Sequence, residues 1–301
     1  MDRLRHLVGV CLLFFGLLLL PLAATADEAA FSEGLLWRVQ PPAGAPSFVF
    51  GTLHSSEASI ATLPPPVAAA FAGARTLGTE VILDVSAVMQ LSRAMLLPSG
   101  ERLDARLTME QVARLKSAAA QYHLAFDTVT RFKPWAVMAL FSFPPAEYAR
   151  LAVGGKALDE QLQVDARATG KKLVGLETID EQIDALGSAS PADQLMLLDA
   201  TLRQAPDIDR VFETLRKAYL ARNVLAVRAA LDTPGDAADE AAARRFEATL
   251  VAARNRRMAE RIRPLLAEGN AFIAIGALHL PGDDGVLSLL AAQGYAVTRV
   301  Y

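Results

Sequence analysis

The sequence holds one cysteine, Cys11, inside an apolar stretch near the N-terminus. A lone cysteine excludes a disulfide framework, and its position leaves the rest of the chain no thiol nucleophile and no cysteine-built zinc site. Histidine is scarce as well, with four in 301 residues. There is no basic excess: 30 Lys and Arg stand against 33 Asp and Glu, for a net charge of −3. That balance argues against nucleic acid as a partner, because phosphate binding needs concentrated positive charge. Gly/Ser linkers, low-complexity tracts and internal repeats are missing too, so the chain does not read as an array of modules. Its one long hydrophobic run, residues 7–20, is too short to span a bilayer comfortably.

That run belongs to a three-part pattern. Arg3, Arg5 and His6 precede it, Pro21 ends it, and Ala24-Thr25-Ala26 offers a small-x-small cleavage site ahead of Asp27-Glu28. The pattern predicts a signal peptide over residues 1–26 and a periplasmic or secreted mature protein with no membrane span after cleavage. Without disulfides such a protein must be held by its core, and 52% hydrophobic residues in a chain of this length can build one.

Residues 27–301 read as a single α/β domain: a central, mainly parallel but mixed sheet with flanking helices and a large helical insertion over about 86–231. Residues 35–39 and 47–50 flank the turn Pro41-Pro42-Ala43-Gly44-Ala45-Pro46 and predict a hairpin. A strand is expected over 76–83, and a short one over 172–177 inside the insertion. Thr108 with Gln111 and Thr178 with Glu181 have the spacing of capping boxes. Residues 237–268 predict one long helix, or two parted at Pro264. The continuous apolar run 271–275 predicts a strand buried on both faces. A right-handed crossover pairing it in parallel with the last strand, 295–301, is the expected topology.

Two of the histidines share a local frame. Phe48-Val49-Phe50-Gly51-Thr52-Leu53-His54 and Ile273-Ala274-Ile275-Gly276-Ala277-Leu278-His279 each place a histidine four residues after an apolar strand. Ligand sites in open α/β sheets gather beyond the carboxyl ends of strands, where both should emerge. Neutral imidazoles there suit Zn²⁺, Mn²⁺ or Co²⁺. Either histidine alone reads as a loop residue bonded to backbone; the matched frames favour a shared metal site. His123 has no such frame and reads as structural. Glu80 is the leading carboxylate for the site, because a charged group amid Thr79 and Val81-Ile82-Leu83 needs a cation or a partner. Asp84 and Glu57 are weaker candidates. Glu177 also ends a strand, although a helix N-terminus explains it without metal. Arg254 and Asn255 sit in a charged run, 244–263, that is otherwise expected to be a solvated face.

These residues in this order resemble the TraB/GumN family, which includes the Tiki metalloproteases. The likeness runs through Leu36-Trp37-Arg38-Val39, Gly51-Thr52-Leu53-His54, Gly78-Thr79-Glu80, Lys133-Pro134-Trp135, Gly175-Leu176-Glu177-Thr178 with Glu181-Gln182, and Arg254-Asn255 with Met258. It closes at Gly276-Ala277-Leu278-His279-Leu280-Pro281-Gly282 and Gly294-Tyr295-Ala296-Val297. The resemblance implies a fold related to erythromycin-esterase-like and ChaN-like proteins, and a metal site built from His54, Glu80 and His279. It implies Mn²⁺ or Co²⁺ as the metal, a peptide or protein substrate, and site roles for Arg254 and Asn255. On that footing Glu177 is the expected general base and Arg254 the group that stabilises a developing oxyanion. Two rival readings are a non-enzymatic haem- or metal-binding protein on the same fold, and an accessory factor in envelope polysaccharide production. Ser55-Ser56-Glu57 departs from the pattern, in which an aspartate or glycine often follows the first histidine.

Overall fold

A computed structural model describes residues 31–231 and 237–301; the expected signal peptide lies outside the described residues. Six strands form one sheet: β1 (Leu36–Gln40), β2 (Ser47–Thr52), β3 (Thr76–Thr79), β4 (Lys172–Gly175), β5 (Ala271–Gly276) and β6 (Ala296–Arg299), in the order β4-β3-β5-β2-β1-β6. Strands β4, β3, β5 and β2 are parallel, whereas β1 runs antiparallel to both β2 and β6. The sheet is therefore mixed and mostly parallel, and β1 with β2 forms the expected hairpin.

The expected pairing of the last two strands is overturned. Strand β5 is enclosed by β3 on one side and β2 on the other, so no edge remains for β6, which closes the far side of β1. β6 still runs in the direction of β5, with two strands between them. Burial agrees: every residue of β5 is buried, while three of the four in β6 are exposed, as an edge strand allows. The strand expected over 76–83 is also shorter. It stops at Thr79, which puts Glu80 just past its carboxyl end rather than within it.

The alternation of side chains along the strands builds a core on each face of the sheet. Phe50, Leu77 and Phe272 pack with Phe71, Leu162, Phe212 and Leu215 on one side. Val49, Ile273 and Ile275 pack on the other with Met258, Ile262 and Leu265 of the Arg254–Glu268 helix and with Val286, Leu287 and Leu290. A third cluster joins helices within residues 87–205 to Ala242, Ala243, Phe246 and Leu250. Its centre is the helix Pro134–Phe141, opened by Pro134 in the first turn and buried on all sides, as expected of a helix apolar all round. Both capping boxes form, at Thr108 and Thr178.

The C-terminal stretch takes the first of the two expected forms, one continuous helical run over 237–268 rather than two helices parted at Pro264. A single π-helical segment, Ala248–Ala253, joins Ala237–Glu247 to Arg254–Glu268, and Pro264 is carried inside the latter. Such π segments are rare and frequent at functional sites. This one delivers Arg254 and Asn255 to the carboxyl edge of the sheet.

Candidate functional site

The strand order sets the site. Beyond the carboxyl ends of four neighbouring parallel strands come Glu177 (β4), Glu80 (β3), His279 (β5) and His54 (β2), in that spatial sequence. The β3–β4 pairing continues past the strands, with Leu176 N–H donating to Thr79 O and Glu177 N–H to Glu80 O. The two glutamates thus leave the sheet side by side. In the β2–β5 pair, Thr52 stands opposite Gly276, so the two Gly-x-Leu-His segments leave the sheet next to each other. Glu80, Glu177, Arg254, Asn255 and His279 are all at least 95% buried, and the His54 side chain keeps 12% exposure.

Arg254 is the hub. Its Nη2 donates to Glu80 Oε2 at 2.7 Å and to Glu177 Oε2 at 2.6 Å, and Nε donates to the two Glu177 oxygens at 3.1 and 2.9 Å. Nη1 donates to Leu250 O at 3.3 Å, a carbonyl within the π segment. Of the five guanidinium hydrogens this leaves one, on Nη1, uncommitted among the described residues. Arg257 adds a 3.3 Å contact to Glu177 Oε1, and Gln182 Nε2 lies 3.4 Å from both glutamates. Burial opposes ionisation of Glu80, but Arg254, then His279 and His54, and the Gly276 N–H donating to Oε1 at 2.7 Å, overcome it and hold the carboxyl at about 2. Burial likewise works against the Arg254 cation, and its two glutamates still keep it firmly protonated.

His279 is fixed by Asn255. Asn255 Nδ2 donates to Asp284 O at 2.8 Å, which turns its Oδ1 toward His279 Nδ1, 2.6 Å away. An amide oxygen can only accept, so Nδ1 carries the hydrogen and Nε2 is bare, 3.8 Å from Glu80 Oε1. Burial pushes the His279 imidazole down to about 4 despite Glu80 beside it. His54 goes the other way. Burial lowers it, but Asp159 and then Glu80 outweigh that, and its pKa is raised.

Several contributors are invisible in a reading of the sequence. Asp159, in the first turn of the helix Leu158–Ala168, places Oδ2 2.6 Å from His54 Nδ1. Glu147, fully buried, accepts from Ser55 Oγ at 2.9 Å and from Ser56 N and Oγ at 2.5 Å each, and pairs with Arg150. Ser55-Ser56 thus anchors the loop that carries His54. Of the weaker candidates, Asp84 caps the helix Val85–Ala94 by accepting from Ala87 N, and Glu57 faces Arg216 at 3.5 Å. His123 is exposed and ends a helix at φ 55°, a structural position. Beside the site a cavity of about 310 Å³ is lined by apolar residues such as Val251 and Leu278 and by charged ones such as Arg228, Arg244 and Asp284, and it reaches Asn255.

Two imidazoles and a carboxylate are a donor set suited to a divalent cation. The Nε2 of His54 is buried with no hydrogen-bond partner, as expected of an atom meant for a ligand. Even so, among the described residues no three His, Cys, Asp or Glu side chains are gathered as a preformed metal cage, and Glu80 gives one oxygen to Arg254. The donor chemistry of these three side chains suits a cation, although Glu80 is engaged by Arg254.

Fold and site together define an α/β protein with paired histidines, buried carboxylates and a buried arginine at the carboxyl edge of a mostly parallel sheet. Residues 35–299 match the TraB/PrgY/gumN family, and the chain belongs to it. It is 25% identical over 276 residues to an uncharacterized protein of Treponema pallidum (strain Nichols), covering 86% of this chain and 80% of that one. It is 24% identical over 315 residues to Metalloprotease TIKI1 of Danio rerio, covering 88% of this chain and 63% of the relative. Metalloprotease TIKI2 of Danio rerio is also 24% identical, with 88% and 60% covered, so the chain spans less than two thirds of both metalloproteases. No solved structure matches.

Proposed function

We propose that this chain is a metal-dependent hydrolase acting on peptide bonds, exported to the periplasm or secreted. The observation that carries the reading is the His279 Nε2 lying 3.8 Å from Glu80 Oε1, with the buried, partnerless Nε2 of His54 beyond the adjacent parallel strand. Family membership and the two distant relatives named as metalloproteases support it. The signal-like N-terminus supports export, and among the described residues no helix is long and apolar enough to cross a membrane.

In this reading His54, His279 and Glu80 hold the cation, Mn²⁺ or Co²⁺ ahead of Zn²⁺. When bound, it supplies a water of lowered pKa and polarisation of the scissile carbonyl. Arg254 keeps Glu80 ionised and correctly turned, and its uncommitted Nη1 hydrogen is the one available to a substrate oxyanion. Glu177 acts as general base once an oxygen turns away from its arginines. Oε1, held at 3.1 and 3.3 Å, is freer to turn than Oε2, held at 2.6 Å. Asn255 keeps the Nε2 of His279 unprotonated, and the cavity beside it receives one side of the peptide.

The test is metal content and peptidase activity of the purified protein beside His54→Ala, His279→Ala and Glu80→Gln. The expected result is loss of bound Mn²⁺ or Co²⁺ in all three, with activity lost in parallel. Undiminished metal binding in both histidine variants would sink the shared site. Metal binding without hydrolysis of any peptide in a diverse library would sink the peptidase.

A further inference from the structure

The two Gly-x-Leu-His segments differ at a single position, Thr52 against Ala277. The Thr52 hydroxyl donates to Asp159 Oδ1 at 2.5 Å, while Asp159 Oδ2 stands 2.6 Å from His54 Nδ1. Asp159 is 7% exposed, where an ionised carboxylate is costly unless it is engaged. A bare imidazole nitrogen facing a carboxylate oxygen at 2.6 Å would set two lone pairs against each other, so a proton must lie between them. Oδ2 makes no in-line hydrogen bond, so the contact is an electrostatic one between the carboxylate and the hydrogen on Nδ1. In its neutral form His54 consequently carries its hydrogen on Nδ1 and leaves Nε2 bare. That Nε2 is one of the buried side-chain atoms with no hydrogen-bond partner among the described residues.

The second segment has nothing equivalent. Ala277 offers a methyl group where Thr52 offers a hydroxyl, and the Nδ1 of His279 meets the neutral amide of Asn255 rather than a carboxylate. Both partners select the same tautomer, but an anion on the far nitrogen makes an imidazole the stronger electron donor. We propose that Asp159, held in place by Thr52, is a positioning residue that fixes the Nδ1–H tautomer of His54 and makes it the stronger donor of the two site histidines. This accounts for a buried aspartate that touches no other element of the site, and for the one residue by which the two motifs differ. The donor-strength half rests on the proposed metal reading; the tautomer half does not.

The experiment separates them. In the metal-stripped full chain, labelled with ¹⁵N at histidine and held at alkaline pH, long-range ¹⁵N–¹H spectra report which ring nitrogen bears the hydrogen. His54 should show a protonated Nδ1 and a bare Nε2. Asp159→Ala should release it to a mixture of tautomers, with the His279 signals unchanged. Calorimetric titration with Mn²⁺ and Co²⁺ reads the other half. The near-isosteric Asp159→Asn should weaken binding about 10- to 100-fold, in line with the effect of second-shell carboxylates. Thr52→Ala should weaken it less, and Thr52→Ser should restore it. A wild-type His54 protonated on Nε2, or an Asp159→Ala protein with the wild-type tautomer, would overturn the assignment. Wild-type cation affinity in Asp159→Asn would overturn the donor-strength half. If His54→Ala itself leaves cation affinity unchanged, the metal reading fails alone, and Asp159 is judged by the tautomer.

Discussion

Replacing Arg254 with methionine tests the electrostatic logic of the site independently of any reaction. Met fills similar volume but removes the cation that Glu80 and Glu177 share, leaving two buried carboxylates with Gln182, Arg257, the Gly276 N–H and the two site histidines. Breaking a buried pair in this way costs about 3–5 kcal/mol. For a domain of this size that is a fall in Tm of roughly 6–20 °C. The loss should appear in the metal-stripped protein at pH 7, measured by thermal or urea unfolding.

The pH dependence is the sharper part. In the wild type the Glu80 pKa is depressed to about 2 from the ordinary 4.5, so its stabilisation is present above the unfolded value and is lost as pH falls through about 2. With about 1.4 kcal/mol per unit, the amount at stake is of order 3 kcal/mol. His279 works in the same direction at higher pH. Its pKa is depressed to about 4, so its stabilisation is lost as pH falls from 6.5 toward 4. Without Arg254, burial dominates at Glu80, its pKa rises above the unfolded value, and its contribution to stability now falls as pH rises. Arg254 also helps hold the His279 pKa down, so that slope weakens as well. The deficit of Arg254→Met should therefore be largest at pH 7 to 8 and shrink toward pH 4. A deficit under 1 kcal/mol at pH 7, or one that is constant across that range, would refute the claim that Arg254 acts by compensating these carboxylates.

Three further outcomes follow from individual contacts. Gly276→Ala keeps an allowed backbone, φ −53° and ψ 137°, but puts its new methyl 3.2 Å from Glu80 Oε1. Calorimetry should show weakened Mn²⁺ binding while stability falls by only about 1 kcal/mol. Glu147→Ala removes the acceptor of Ser55, Ser56 and Arg150 from a fully buried site, and a loss of about 2–4 kcal/mol in urea unfolding is expected. Thr178→Ala removes one half of the capping box that opens the helix after Glu177; about 1 kcal/mol of stability should go in urea unfolding.

What the sequence revealed and what it concealed have separate physical causes. The histidine frames were legible because a buried parallel strand writes itself as an unbroken apolar run, and a glycine marks where the chain leaves it. Glu80 was legible because a carboxylate among apolar neighbours has to be explained. The partner of β6 was not, since the apolar runs of β2, β3 and β5 state that each is buried but not which strands flank it. Asp159 was concealed for another reason: an acidic residue in the first turn of a helix is ordinary there, and only its 2.6 Å approach to His54 distinguishes it. Arg254 lay between these cases. Its run of arginines reads as a solvated face, yet Arg254, Met258, Ile262 and Leu265 follow a helical repeat and all are buried. The same stripe that seats Met258, Ile262 and Leu265 against the sheet carries a guanidinium into the interior at its first turn, between two glutamates. An arginine on the apolar stripe of a helix needs buried acidic partners. Its position in the repeat, rather than its membership of a charged run, is the signal that points back to Glu80 and Glu177.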